Sequence, residues 1–234
     1  MEPLTFILVH GAWHGAWCWE RLVPEIERHG HRTIAIDLPI EDGTATFDTY
    51  ADVVAAALPA TGDVVLVAHS LGAMAIPIVA ARRPVRAMVF VCGVIPLLGG
   101  KPWDEGPPME APGVTSTIVR GDDGAMTWPD VEAARAAMYH ASDPADAAWC
   151  FSKLRPQNSS SLWGDYPLAT WPDAPVITVG CTEDRIVSVE WSRYTAERLG
   201  VEPIEIGGDH SPFLGRPAEL AGVVLERLGG VLAG

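Results

Sequence analysis

The sequence predicts an α/β fold in which a mostly parallel sheet of about six strands is flanked by helices. Apolar, β-branched runs alternate with amphipathic helical stretches, and the connections are short, as in right-handed βαβ units. The 234 residues are enough to bury a full core. We predict strands at about 4–10, 32–37, 63–68, 86–92, 175–181 and 201–206, and helices at about 19–29, 46–58, 71–83, 188–199 and 216–229.

The regular alternation stops between the fourth and fifth predicted strands. Residues 96–174 are rich in Pro, Gly and Trp and contain one clear helical stretch, at 130–140. A structureless loop of this length is improbable inside a compact domain. We therefore predict a core formed by residues 1–95 and 175–234, and a small helical cap formed by residues 96–174 over the carboxyl edge of the sheet.

Charge and composition restrict the partners of the chain. The formal net charge of −14 opposes binding to nucleic acids or anionic membranes, because both are polyanions. The first residues, MEPLTFILVHG, lack a basic region, and their apolar run is too short for a signal sequence or a membrane span. We expect a cytoplasmic protein that acts on a small molecule, and both a monomer and a homodimer stay open.

The cysteines give no sign of a metal or redox site. Cys18, Cys92, Cys150 and Cys181 are scattered along the chain without CxxC spacing. Zinc-binding and redox-pair interpretations therefore find no support in the sequence. We expect buried thiols that behave as small hydrophobic side chains, and no metal.

The stretch VVLVAHSLGA, residues 64–73, places a hydroxyl where a buried strand turns into a helix. In the pattern x-Ser-x-Gly such a turn strains the serine backbone and lifts its side chain above the sheet edge, at a helix N-terminus that favours negative charge. Ala68 stands where the usual motif has Gly. A helix-capping role is the simpler alternative for Ser70, but the position predicts a nucleophile.

A nucleophilic serine needs a general base and an orienting carboxylate. His210 follows the last predicted strand and reaches the same edge of the sheet as Ser70. Asp184 follows the fifth strand by three residues, and Glu183 is its close rival. His69 is adjacent to Ser70 and badly placed to take its proton, Asp209 faces away from its neighbour His210, and His29 and His31 are expected at the surface. The chain order Ser70, Asp184, His210 predicts a catalytic triad.

The turn after the first strand predicts an oxyanion hole. His10-Gly11-Ala12 follows that strand directly, and Gly allows a sharp turn that exposes an amide. We expect the N–H groups of Ala12 and Leu71 to be the two donors. For the substrate pocket, which is mainly apolar in such sites, we expect Trp13 and the cap residue Trp128.

Four segments together resemble one family. HGAWHGAWCW, VAHSLGA, VGCTEDRIV and GGDHSPFL look like the plant methylesterase and hydroxynitrile lyase family of α/β-hydrolases and its bacterial esterase relatives. The likeness extends over the whole chain, including MYHASDPADAAWCFSKLRPQ in the cap. The resemblance implies the α/β-hydrolase fold and a serine carboxylesterase that cleaves esters of small, often aromatic, acids without a cofactor.

Three other activities stay open on the same fold. The lyases of this family lead one to expect a Thr near the first oxyanion residues and a Lys beside the catalytic His, where this chain has Gly11-Ala12 and Ser211-Pro212. Lyase activity therefore ranks below esterase activity. A cofactor-independent oxygenase with a His-Asp dyad and a non-catalytic ligand receptor are the remaining alternatives.

Overall fold

The predicted α/β architecture, a parallel six-stranded sheet flanked by helices, is confirmed. The structure is a computed structural model that describes residues 2–60, 62–96, 98, 106–162 and 165–233. All neighbouring strands of the main sheet are parallel, in the order β2-β1-β3-β4-β8-β9. Their bounds are β1 Thr5–Val9, β2 Arg32–Ile36, β3 Val64–His69, β4 Ala87–Val91, β8 Val176–Cys181 and β9 Ile204–Ile206.

The central strands end level with one another. Strand β3 is buried along its whole length, as expected of a strand with helices on both faces. Its Ala68 pairs with Val9 of β1 on one side and with Phe90 of β4 on the other. The turns that leave these three strands therefore meet at one edge of the sheet.

The helices lie near the predicted positions, but two start later than expected. The α-helices are α1 Val23–Glu27, α2 Phe47–Ala57, α3 Ile76–Arg82, α4 Val131–Met138, α5 Pro144–Phe151, α6 Val189–Arg198, α7 Pro212–Gly215 and α8 Pro217–Ala233. Short 3₁₀ helices, Ala16–Trp19 and Ser70–Met74, come before α1 and α3. Pro24 and Pro77 occupy the first turns of these two α-helices, where proline is tolerated, so each α-helix begins there. Within the described residues, none of the helices has the length and apolar character needed to span a membrane.

The segment between β4 and β8 contains more regular structure than the sequence predicted. The predicted helix at 130–140 corresponds to α4, which Asp130 caps by accepting a hydrogen bond from the Ala133 N–H. Helix α5 and a small antiparallel sheet, made of β5 Val119–Arg120, β6 Ala125–Thr127 and β7 Gln157–Asn158, were not predicted. Strands of two or three residues are too short to show a period of two. The division into core and cap stays a prediction.

The position of His31 corrects one expectation. His31 was expected at the surface, but it is buried, and its Nδ1 accepts a hydrogen bond from the Leu4 N–H at 3.2 Å. Its ring packs against Phe6, with the centroids 5.3 Å apart. His31 directly precedes β2 and is covered by residues in and before β1. Its position after a predicted helix did not reveal this contact.

Two glycines give a test of the packing at the sheet edge. A Cβ added to Gly72 would lie 2.2 Å from the carbonyl oxygen of His10, whereas a Cβ added to Gly222 in α8 would meet nothing within 4 Å. We expect Gly72→Ala to lower the free energy of unfolding by about 1–3 kcal/mol through overpacking. Gly222→Ala should raise it by about 0.5–1 kcal/mol. Urea unfolding of both variants checks this, and a neutral Gly72→Ala would contradict the close packing.

Candidate active site

Ser70 follows β3 directly in a strained conformation. Its φ is +49°, in the left-handed region that side chains other than glycine rarely adopt. The Val94 N–H, beyond β4, donates to the Ser70 carbonyl oxygen at 3.0 Å and helps to hold the turn. Ala68, which replaces the usual Gly, is an ordinary buried residue of β3. Its small side chain is accommodated, so the departure from the motif leaves the turn intact.

The turn after β1 packs directly against the turn that carries Ser70. A Cβ added to Gly11 would lie 2.7 Å from the Ser70 Cβ and 2.8 Å from the His69 Nδ1. Contacts this short are essentially absent between real side chains, so a side chain at Gly11 would push the two turns apart. A glycine at position 11 therefore allows the backbone of the turn after β1 to approach Ser70 closely.

The structure brings Ser70, His210 and Asp184 together in one hydrogen-bonded chain. The His210 Nε2 lies 3.0 Å from the Ser70 Oγ, and the His210 Nδ1 lies 2.7 Å from the Asp184 Oδ2. Because a carboxylate accepts, Nδ1 carries the proton, and the Nε2 lone pair faces the serine hydroxyl. All three residues are buried.

Backbone amides fix the orientation of the Asp184 carboxylate. The N–H groups of Ile186 and Val187 donate to its Oδ1 at 2.8 and 2.9 Å. The other carboxylate oxygen is left for His210. Glu183, which was the rival of Asp184 in the sequence, is exposed and accepts a hydrogen bond from the Gly208 N–H at 3.3 Å. Asp209 accepts hydrogen bonds from the N–H groups of Ala141 and Ser211.

The predicted oxyanion residues line a cavity beside Ser70. Ala12, Leu71 and Trp13 all border this cavity, whose volume is about 330 Å³. The other lining residues come from the segment between β4 and β8 and from the loop after β8. The apolar ones are Val94, Met109, Ile118, Met126 and Ile186, and the uncharged polar ones are Thr115, Gln157 and Ser159. Two charged side chains, Glu110 and Arg120, are exposed at its border.

Trp128 lies behind Trp13. The two rings meet edge to face with their centroids 5.3 Å apart. Trp128 lines a neighbouring cavity of about 230 Å³, together with Trp13, Phe151 and Leu154. The indole N–H of Trp13 donates to the Met126 carbonyl oxygen at 3.0 Å. Trp128 therefore backs the side chain that borders the Ser70 cavity. Three further large apolar residues that the sequence places in the predicted cap, Leu97, Trp103 and Trp163, lie outside the described residues.

The burial of three histidines around the site was not predicted from the sequence. His10, His14 and His69 are fully buried. Burial lowers the pKa of His10 to about 4 and that of His14 to about 3, and it lowers the pKa of His69 well below its usual value. The Nε2 of His69 lies 2.8 Å from the His210 carbonyl oxygen, so a neutral His69 donates there. In the sequence, the only sign of this burial is that each histidine stands in a mostly apolar stretch.

One set of metal-ligand side chains forms within the described residues. The ligand atoms of Cys92, Asp184 and His210 lie within 4.8 Å of one another. Contact with Cys181 and burial raise the pKa of the Cys92 thiol well above its usual value. Asp184 and His210 are already bonded to each other. The set is therefore poorly suited to a metal, which needs deprotonated ligands.

Comparisons with known proteins agree with this architecture. Residues 6–223 match the model of the alpha/beta hydrolase family. Esterase PIR7B of Oryza sativa subsp. japonica is 30% identical over 94% of both chains. Salicylic acid-binding protein 2 of Nicotiana tabacum is 29% identical, over 96% of this chain and 97% of that protein. The solved structure of a pyrethroid hydrolase from Sphingobium faniae JZ-2 superposes with a TM-score of 0.80 at 21% identity, covering 97% of this chain and 98% of that one.

The chain belongs to the alpha/beta hydrolase family. Within it, the chain groups with the plant esterases and methylesterases, as the four sequence segments indicated. It is a carboxylesterase-like hydrolase.

The buried histidines predict a loss of stability in acid. The unfolded chain protonates them below about pH 6.5, whereas the folded protein keeps His10 neutral down to about 4 and His14 down to about 3. The unfolded state therefore binds more protons in this window, and the free energy of unfolding falls as the pH falls. Each histidine contributes about 1.4 kcal/mol per pH unit.

Urea unfolding at several pH values between about 7 and 4.5 measures this slope. We expect the slope of His14→Asn to be smaller than that of the unmodified chain by about 1.4 kcal/mol per pH unit. The exposed His29 supplies the control, because His29→Asn should leave the slope unchanged. An unchanged slope in His14→Asn would mean that the folded protein accepts a proton there.

Proposed function

We propose that the chain hydrolyses small carboxylic esters through an acyl-enzyme on Ser70. The observation that carries the proposal is the hydrogen-bonded chain from Ser70 through His210 to Asp184, with distances of 3.0 and 2.7 Å, at the wall of an apolar cavity. The names of the relatives, esterase PIR7B and methylesterase 1, support the same class of reaction.

His210 takes the proton of the Ser70 hydroxyl on Nε2 as Oγ attacks the ester carbonyl carbon. The carbonyl oxygen becomes an oxyanion, which the N–H groups of Ala12 and Leu71 stabilise; one such donor contributes about 3 kcal/mol in the transition state. The C–O bond to the alcohol then breaks, and the alcohol leaves with the proton from His210. Water repeats these steps on the acyl-enzyme and releases the acid.

Asp184 holds His210 in the required tautomer. Its Oδ2 accepts the Nδ1 proton, so Nε2 is free to act as the base, and it stabilises the imidazolium that forms. Because two backbone amides bind its other oxygen, the carboxylate stays aligned without help from solvent.

The cavity favours an uncharged acyl group with apolar or aromatic character. Its lining includes Trp13, Leu71 and Val94, and the charged side chains among its described lining residues are the exposed Glu110 and Arg120. Apolar walls with a few convergent polar groups are typical of sites for small neutral ligands.

A cytoplasmic location belongs to the same proposal. The four free cysteines support it, because thiols stay reduced in the cytoplasm.

A fluorophosphonate probe and an acetate ester test the nucleophile and its partners. We expect a single adduct on Ser70, found by mass spectrometry, and no adduct in Ser70→Ala. Asp184→Asn should lower kcat for p-nitrophenyl acetate on the order of 10⁴-fold. Glu183, the exposed residue next to Asp184, gives the control: Glu183→Gln should retain near-normal activity. A mild effect of Asp184→Asn with a large effect of Glu183→Gln would reverse the assignment.

Other outcomes of the same assay identify the alternatives. Cleavage of a cyanohydrin without ester turnover indicates a lyase, and oxygen consumption with an aromatic substrate indicates an oxygenase. Ligand binding with no turnover of any kind indicates a receptor. Each of these results would overturn the esterase proposal.

Trp128 supplies a test of substrate preference. Since Trp128 supports the Trp13 ring, Trp128→Ala should leave that ring free to move, and the KM for an aromatic ester should rise several-fold more than the KM for an acetate. Trp171→Ala is the matched control, because this cap tryptophan packs on Phe90 and lines a different cavity. Equal changes in the two KM values, or changes as large in Trp171→Ala, would show that Trp128 contributes packing alone.

A further inference from the structure

Two buried histidines adjoin the oxyanion turn and have no part in the proton transfers proposed above. His10 and His14 flank Gly11, Ala12 and Trp13, and both are fully buried. Burial keeps both imidazoles neutral at neutral pH, because it lowers their pKa values to about 4 and 3. Each ring can therefore donate one hydrogen bond and accept one.

The contacts of His10 define its tautomer. The Leu38 N–H donates to the His10 Nε2 at 2.9 Å, so this nitrogen carries a lone pair. The ring proton is then on Nδ1, which lies 2.8 Å from the Gly11 carbonyl oxygen and donates to it. The ring thus connects the start of the loop after β2 with the carbonyl that precedes Ala12.

The contacts of His14 define the same tautomer. Its Nδ1 lies 2.7 Å from the Ala12 carbonyl oxygen, which can only accept, so Nδ1 carries the proton. The other ring nitrogen accepts from the Tyr139 hydroxyl at 2.7 Å. Tyr139 is fully buried and follows the last residue of α4, between β4 and β8.

Three consecutive carbonyls of the turn therefore have a defined donor. His10 binds the Gly11 oxygen, His14 binds the Ala12 oxygen, and the Arg155 N–H donates to the Trp13 oxygen at 2.8 Å. In a trans peptide the C=O and the following N–H point in opposite directions. Fixing the Gly11 carbonyl thus fixes the direction of the Ala12 N–H, and Trp13 is held in a left-handed conformation with φ +62°.

We propose that His10 and His14 are positioning residues that together aim the Ala12 N–H at the oxyanion. His10 fixes the peptide that carries this N–H, His14 fixes the next peptide through the Ala12 carbonyl and so holds Ala12 from its other side, and Tyr139 extends this control to the segment between β4 and β8. The inference rests on the proposed esterase function, since it concerns the donor that stabilises the tetrahedral intermediate. Complete loss of one oxyanion donor lowers kcat by about 10²–10³-fold, and a misaligned donor should cost a part of that.

Paired variants of His14 test the role of the Nδ1 donor. His14→Leu removes the donor, whereas His14→Asn places an amide nitrogen close to the position of Nδ1. We expect His14→Leu to lower kcat for p-nitrophenyl acetate by about 10–100-fold with little change in KM, and His14→Asn to recover most of the loss. The affinity for a trifluoromethyl ketone, which forms a tetrahedral adduct, should fall with kcat, while the affinity for the product acid stays constant.

A single-atom change keeps the test independent of folding. Tyr139→Phe removes only the hydroxyl that donates to the His14 Nε2 and holds the ring in place, and kcat should fall about 3–10-fold. Tyr166→Phe is the matched control, because the buried Tyr166 hydroxyl donates to the Met74 carbonyl oxygen at 2.6 Å and does not contact the oxyanion turn. It should lower Tm about as much as Tyr139→Phe does and leave kcat unchanged.

The outcomes separate this inference from the proposed function. An unmodified protein that neither turns over esters nor reacts with a fluorophosphonate overturns the proposed function. An active protein whose kcat survives His14→Leu, or one in which Asn restores no more activity than Leu, overturns the positioning role alone. Equal losses of kcat in Tyr139→Phe and Tyr166→Phe would likewise reduce Tyr139 to a structural residue.

Discussion

The close approach of two backbone turns at the carboxyl edge of the sheet is the constraint on which the site depends. The turn after β1 and the turn after β3 touch so closely that a methyl group at Gly11 or Gly72 would collide with the other turn. This contact brings Ala12 beside Ser70, and without it no N–H from the β1 turn could lie near the serine. The sheet enforces this contact, because β1 and β3 are neighbours and Val9, the last residue of β1, is paired with Ala68, one residue before the end of β3.

The same edge concentrates backbone strain. The described residues other than glycine that have a positive φ are Trp13, Ser70 and Cys92, and they follow β1, β3 and β4 respectively. Conformations of this kind cost about 1–3 kcal/mol each and persist where the surroundings impose them. Here the hydrogen bonds to the carbonyls of Trp13 and Ser70 and the burial of Cys92 impose them. The stability of the buried sheet offsets the cost at the edge that carries the cavity.

The sequence predicted what depends on regular periodicity and chain order. Strands such as β3 are continuous apolar runs, and the end of each run locates the edge at which Ser70, Asp184 and His210 meet. The small sheet of β5, β6 and β7 escaped prediction because its strands have only two or three residues, and because β7 joins β6 across a long separation in the chain, with Met126 opposite Gln157. The contacts of His10 and His14 escaped for a related reason: their partners, Leu38 and Tyr139, are remote in sequence. Only the folded chain reveals that an imidazole beside a glycine is buried and neutral.

The hydrogen bonds between the segment 96–174 and the turn after β1 limit how the cavity of this enzyme can diversify. This segment, the predicted cap, supplies many of the residues that line the cavity, so exchanging it with that of a relative would change the lining as a whole. Tyr139 and Arg155 lie within this segment and bind His14 and Trp13 of the turn after β1. A chimaera that receives the corresponding segment of a relative would lose both partners at once unless that relative carries equivalents at the same places. Libraries that vary only the lining residues Met109, Ile118 and Met126 would leave these links untouched.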